Sequence, residues 1–411
     1  MTKNVEVVIT GLGATTPLGG DVPTTWDALL AGRSGVAPLT EDWVERFDLP
    51  VRIAARLAVE PTDVLPRVEA RRLDRAEQVA LIASRQAWED AGLTEDSVDK
   101  ERLAVVIGTG IGGVTTLLDY DDLLESSGVR KVTPLIVPML MPNGPAAHVG
   151  LEFKARAGVH APVSACASGA EALAWAYRMI RDGEADVVVA GGAEASIAAI
   201  TMAGFAQART MSTRNDAPQQ ASRPFDTGRD GFVLGEGAGI VVLERADFAA
   251  ARGARVYAKL AGIGTSADGH HITAADPEGL GQGRAVAAAL RTAGLSGSDV
   301  NHVNCHATST PVGDVIEPRA IRRAVGDHPV LTAPKGSLGH LLGAAGAVES
   351  IITVLSIRDG VLPQTLNLEE QDPAVDFDVV SGEPRKMEVT AAVNNSFGFG
   401  GHNVALAFTP A

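Results

Sequence analysis

The chain has 411 residues, 45% of them hydrophobic, which is enough for a large core and suggests two or three domains. A formal charge of −15 argues against sequence-independent nucleic-acid binding, and no stretch reaches the roughly 20 apolar residues that span a membrane. The opening Met1-Thr2-Lys3-Asn4-Val5 shows no signal-peptide pattern, and the two cysteines, Cys166 and Cys305, form no CxxC pair, so a cytoplasmic protein without a disulfide framework is expected.

In chain order, β-branched runs bounded by glycine or turn residues predict strands at Val5–Thr10, Leu103–Ile107, Asp186–Ala190 and Ile240–Leu243. The second half adds Val256–Leu260, Val300–Asn304, Val330–Ala333, Ala391–Asn394 and Val404–Phe408. Helical patterns lie between them at Val22–Ala31, Arg75–Ala91, Ser168–Arg181, Gly283–Ala293, Glu317–Ala324 and Gly346–Arg358. This alternation predicts α/β architecture with a largely parallel sheet. A faint repeat has a period of about 250 residues, too long for a solenoid. In it Val8-Ile9-Thr10-Gly11-Leu12-Gly13 returns in character as Leu260-Ala261-Gly262-Ile263-Gly264-Thr265. Two similar α/β halves are expected, residues 1–250 and 251–411.

Gly108-Thr109-Gly110-Ile111-Gly112-Gly113 has the GxGxxG spacing of a dinucleotide loop, which calls for a helix, a second strand and an acid about 20 positions on. The next strand-like stretch, Leu135–Val137, ends in Pro138 with no acid, and the nucleotide reading is rejected. Next, Val163-Ser164-Ala165-Cys166-Ala167-Ser168-Gly169 sets a cysteine among small residues at the start of a predicted helix. There unpaired N–H groups and the macrodipole favour a thiolate, a strong nucleophile toward a thioester carbonyl. The same residue also fits a small buried hydrophobe. Cys305 has no such setting and reads as packing.

Asn304-Cys305-His306-Ala307-Thr308-Ser309-Thr310 places a histidine beyond the carboxyl end of a strand, the edge where open α/β sheets put their sites. Lys335-Gly336-Ser337-Leu338-Gly339-His340-Leu341-Leu342-Gly343 repeats the arrangement of strand, polar turn, histidine and helix. Neither histidine has metal-ligand spacing such as HExxH, so no metal is expected, and His270-His271 read as loop residues.

Together with Gly191-Gly192-Ala193-Glu194, Ser212-Thr213-Arg214-Asn215-Asp216, Arg223-Pro224-Phe225-Asp226, Asp230-Gly231-Phe232-Val233, Gly235-Glu236-Gly237-Ala238-Gly239 and Asn394-Asn395-Ser396-Phe397-Gly398-Phe399-Gly400-Gly401, these segments resemble the β-ketoacyl-acyl-carrier-protein synthases, in their elongating, synthase II-like branch. The resemblance runs from Val8 to Asn403 with the motifs in family order. It implies the thiolase fold, two similar α/β halves stacked as α-β-α-β-α layers, and a homodimer. It also implies decarboxylative condensation of malonyl-acyl carrier protein with an acyl chain held on Cys166, without a cofactor, the substrates riding on phosphopantetheine.

By the same resemblance His306 and His340 stabilise the enolate, and the N–H groups of Cys166 and Phe399 receive the oxyanion. Ile111 lies near the acyl chain, and Thr308 and Thr310 bond the pantetheine arm. Lys335 orients the site or serves only as an ion pair with Glu349; Asp314, from its place on the same segment as His306 and not from the resemblance, is expected in the same polar network. Arg67, Arg71, Arg72 and Arg75, with Arg209, form a landing site for the acidic carrier protein. The chain departs from many members at Ala307, where they have Gly, and at Gly336, where they have Ser. A polyketide ketosynthase is the nearest rival. A non-catalytic partner subunit, a CoA-dependent enzyme of the same fold and a cysteine hydrolase stand further off.

Overall fold

The computed structural model describes residues 5–411, so the opening Met1–Asn4 lies outside the described residues. Ten strands form one sheet: β1 (Val7–Thr15), β2 (Leu103–Gly108), β3 (Gly158–His160), β4 (Val187–Glu194), β5 (Gly237–Arg245), β6 (Ala258–Ala267), β7 (His302–Asn304), β8 (Val330–Thr332), β9 (Ala392–Gly398) and β10 (His402–Thr409). Their spatial order is β8-β7-β9-β10-β6-β1-β5-β4-β2-β3. From the β1–β6 junction outward, each wing runs through two antiparallel pairings and then two parallel ones. The fold is the thiolase fold, with one wing built from strands before residue 250 and the other from strands after it.

The sheet is mixed rather than largely parallel: among the described residues five neighbouring pairs are antiparallel and four parallel. Parallel strands need a crossover, usually a helix. Only Phe399-Gly400-Gly401 joins β9 to β10, with Gly400 and Gly401 at φ of 83° and 75°, so that pair turns back on itself. The stretch expected as a strand at Leu135–Val137 instead enters a short helix, Ile136–Leu140, with Pro138 within it. A helix, Val114–Ser127, does follow the glycine-rich loop, but the next sheet strand is β3, which ends at His160 without a carboxylate. β3 itself, three residues long and without an apolar run, gives no signal in the sequence.

Five long helices cover the sheet: α1 (Arg75–Asp90), α2 (Ser168–Arg181), α3 (Leu280–Ala293), α4 (Gly313–Ala324) and α5 (Ala345–Asp359). On β2, Leu103, Val105 and Ile107 join the cluster that holds α1 residues Val79 and Ala83, while Ala104 and Val106 join the one that holds α2 and α5. The second wing packs Val303 and Val393 against Val286 and Leu290 of α3 and Ile321 of α4. The layers therefore alternate helix, sheet, helix, sheet, helix. The middle layer explains α5, which is buried at every residue from Ala345 to Ser356. A helix without a polar face fits only between two apolar surfaces. Its hydroxyls at Ser350, Thr353 and Ser356 donate to carbonyls four residues back at 2.7, 2.8 and 3.0 Å, so none is left bare. Among the described residues no helix is long and apolar enough to cross a membrane.

The glycine repeat marks where the outer helices touch the sheet. A Cβ at Gly11 would lie 2.1 Å from Ala87 O and one at Gly13 1.9 Å from Ala83 O. In β6 a Cβ at Gly262 would lie 2.3 Å from Ala289 O and one at Gly264 1.9 Å from Ala285 O. Glycine thus continues both strands instead of ending them, and β1 and β6 run beyond their predicted limits at Thr10 and Leu260. Gly264→Ala is expected to cost about 3 kcal/mol, because backbone has to move. Gly204→Ala, in the helix Ala199–Gln207 with nothing within 4 Å, is expected to stabilise by about 0.5–1 kcal/mol. Urea unfolding of the two variants checks this; equal midpoints would contradict the packing argument.

Candidate active site

Cys166 sits in a single 3₁₀ turn, Ala165–Ala167, directly before α2. Ala165 is held at φ 50°, a left-handed conformation that costs a residue with a Cβ. Ser168 clamps the bend: its Oγ accepts the Ser164 N–H at 2.9 Å and donates to Ala165 O at 2.7 Å. From the other wing, Gly398 closes over the turn, and a Cβ there would lie 2.5 Å from Ser164 O and 3.2 Å from Cys166 N. The backbone N–H groups of Phe399 and of Cys166 itself act on the sulfur in the direction that favours its charged form. Burial pushes the thiol up to about 12, against the pull of the Lys335 charge and these N–H groups. Desolvation thus works against the expected thiolate-favouring setting.

His306 follows β7 on a turn strained at Ala307, φ 21°, and Ser309, φ 70°. Glu317 of α4 holds that turn, accepting the N–H groups of His306 and Ala307 at 2.8 Å each and the Asn395 amide at 3.0 Å. Lys335 Nζ lies 2.5 Å from Glu349 Oε1 and 3.4 Å from His306 Nδ1. An ammonium only donates, so Nδ1 accepts and a neutral ring carries its proton on Nε2. His340 is fixed through its backbone, donating to Val233 O at 2.7 Å and accepting from Gly235 N at 2.9 Å. The two imidazoles meet edge to face at 5.4 Å. Burial, and then the positive charge of Lys335, hold both well below the ordinary imidazole value, with each ring neutral.

A cavity of about 400 Å³ brings together Cys166, His306, His340, Phe399, Thr308, Thr310 and Arg209, with Phe205, Phe232, Ile316 and Leu342 as apolar wall. The Thr308 and Thr310 hydroxyls are 3.1 Å apart. Lys335 and Glu349 are both buried and joined as an ion pair. Ile111 shares an apolar cluster with Cys166, Phe205 and Leu342 but is not part of the cavity wall. Asp314 serves a different network from the one expected: it accepts the N–H groups of Phe225 and Thr310 at 2.9 and 3.3 Å and lies 3.8 Å from Arg229. Burial raises it to about 7. Arg67, Arg71 and Arg72 are exposed and have no ion-pair partner among the described residues. Arg75 leaves that group, committed to Glu60 and Glu236 at 2.7 Å each.

Two carboxylates had no assigned role in the sequence. Glu317 is the first. The second, Glu194, ends β4 and accepts the N–H groups of Gly110 and Gly343 at 2.8 and 3.1 Å, tying the loop beside Cys166 to the segment that carries His340. Burial raises Glu194 to about 7. The available signal was an acid placed among small or apolar residues, as in Gly191-Gly192-Ala193-Glu194.

The Beta-ketoacyl synthase N-terminal domain matches residues 4–249, and the Beta-ketoacyl synthase C-terminal domain matches residues 257–369. A Mycobacterium bovis protein named 3-oxoacyl-[acyl-carrier-protein] synthase 2 is 52% identical over 405 residues, covering 98% of this chain and 96% of the relative. A Staphylococcus aureus protein of the same name is 42% identical over 412 residues, covering 99% of each. A crystal structure of a Beta-ketoacyl synthase from Burkholderia phymatum has a TM-score of 0.92 at 36% identity, over 99% of this chain and 100% of that one. A type II polyketide ketosynthase bound to the hexaketide, in complex with its acyl-carrier protein, has a TM-score of 0.91 at 29% identity over 99% of both chains.

Glu317→Ala is expected to destabilise the chain by about 3–5 kcal/mol, since two buried backbone N–H groups and the Asn395 amide lose their acceptor. Glu317→Gln, which keeps one carbonyl oxygen, is expected to lose less. Chemical unfolding of both variants tests this, and a neutral Glu317→Ala would show that the His306 turn holds itself.

Proposed function

The chain belongs to the β-ketoacyl synthase family, and from that premise we propose that it condenses malonyl-acyl carrier protein with an acyl chain carried on Cys166, releasing carbon dioxide and giving β-ketoacyl-acyl carrier protein in fatty acid elongation. One observation carries the assignment of roles: a single cavity holds the Cys166 thiol, Phe399 and two imidazoles held well below their ordinary value by burial and by Lys335.

In the first half-reaction the Cys166 sulfur attacks the acyl thioester, the new S–C bond forms, and the carrier thiol leaves with the proton. Malonyl-carrier then enters. Its bond to the carboxylate breaks, carbon dioxide leaves, and the electron pair becomes an enolate. Neutral imidazoles can each donate one N–H to the enolate oxygen, His306 from Nε2. An imidazolium would instead protonate the enolate carbon or bind the malonyl carboxylate too well. The enolate carbon attacks the acyl-Cys166 carbonyl. The N–H groups of Cys166 and Phe399 receive the oxyanion, fixed donors worth roughly 3–4 kcal/mol each. Collapse expels the Cys166 sulfur, which takes up a proton. Lys335 and Glu349 position His306 and set its charge state; Thr308 and Thr310 receive the pantetheine arm, and Ile111 borders the chain through its contact cluster. No step calls for a cofactor.

An acyl carrier protein is the partner, and the solved ketosynthase in complex with its carrier protein supports that reading. Arg67, Arg71, Arg72 and Arg209 supply unpaired positive charge on a chain of net charge −15. A homodimer is supported by the sheet edge at β3, where Val159 and Val163 are exposed beside Trp175 and Leu151. The two free cysteines support a cytoplasmic location. Fatty acid elongation is favoured over a polyketide role by the 52% identity to a 3-oxoacyl synthase against 29% to the polyketide ketosynthase.

Intact-protein mass spectrometry after mixing the chain with acyl-carrier proteins of graded length tests the assignment. The expected result is a gain of one acyl group, absent in Cys166→Ala, with a ranking of chain lengths. No gain with any fatty acyl chain would contradict it.

A further inference from the structure

Among the described residues, two members of the cavity wall carry a buried polar side-chain atom without a partner: His340 at Nδ1 and Gln282 at Oε1. His340 has its role in the condensation; Gln282 has none. Gln282 is 4% exposed and stands in the first turn of α3, just after Gly279 starts the helix at φ 63°. Its backbone is fixed from the side. Ser266 Oγ donates to Gly281 O at 2.6 Å, and a Cβ at Gly281 would lie 1.9 Å from Asp268 Oδ1.

A buried carboxamide oxygen with no donor is a standing cost unless a ligand completes it. The last side-chain torsion of glutamine is broad, so a turn about it aims either end of the amide into the cavity. A carboxamide accepts at Oε1 and donates at Nε2, and a trans secondary amide offers either its N–H to the one or its C=O to the other.

We propose that Gln282 is a specificity residue that pairs with a secondary amide of the phosphopantetheine arm, so that the enzyme prefers pantetheine thioesters to thioesters that lack an amide. The proposal rests on the condensing-enzyme reading above. Gln282→Met keeps the length and apolar contacts of the side chain but offers no amide, and Gln282→Ala serves if the first variant does not fold. Acylation of Cys166 is followed by mass spectrometry with octanoyl-pantetheine and with the octanoyl thioester of ethanethiol. The expected result is that the ratio of kcat/KM between the two donors falls about tenfold in the variant, mainly through KM for octanoyl-pantetheine. A ratio equal to that of the parent chain overturns the proposal. Failure of the parent chain itself to be acylated by either donor overturns the condensing reading instead.

Discussion

Lys335 is 1% exposed and stands between the Glu349 carboxylate at 2.5 Å and His306 Nδ1 at 3.4 Å. A buried ammonium is costly unless paired, and Glu349 supplies the pair. Burial raises Glu349 to about 7 while Lys335 pulls it the other way, so each charge is kept only by its neighbour. The consequence for chemistry is at the histidines. One positive charge beside two desolvated imidazoles disfavours a second and a third, and both rings are held toward the neutral form. As the folded rings sit below their unfolded value near 6.5, their contribution to stability is present above that pH. It is lost progressively as pH falls below it. Of the two readings the sequence left open for Lys335, the ion pair with Glu349 is present, and the ammonium also lies 3.4 Å from His306 Nδ1.

Each wing of the sheet contributes side chains to the one cavity, and close backbone contacts join them. Cys166 comes from the first wing, His306 and His340 from the second. Gly398 at the end of β9 lies against the Ser164–Cys166 turn, and Glu194 at the end of β4 reaches across to Gly343. The proposed nucleophile and proton donors are therefore placed by strand ends and by buried hydrogen bonds. Such placement suits a reaction whose catalysis depends on fixed donors.

Cys166, His306 and His340, which share the cavity, were legible because each sits in a short run of distinctive residues just past a strand or before a helix. The half-repeat was legible too, since Gly11-Leu12-Gly13 and Gly262-Ile263-Gly264 answer to the same contact with an outer helix. What escaped was set by tertiary contact. Whether β9 and β10 run parallel depends on a three-residue turn, and β3 carries no apolar run of its own. Glu317 and Glu194 act by accepting backbone N–H groups from segments far along the chain. Asp314 was linked to His306 by nearness in sequence, yet its carboxylate faces Phe225 and Arg229. The helix-start argument for a thiolate at Cys166 left out desolvation, which acts in the opposite direction.

The charge state of the two imidazoles is the centre of the account, and ¹⁵N chemical shifts of histidine-labelled protein read it directly. His306 and His340 are assigned by their loss in His306→Asn and His340→Asn. The account predicts neutral rings from pH 8 down to about 6, with the His306 proton on Nε2. An imidazolium at either position at pH 7 would contradict it.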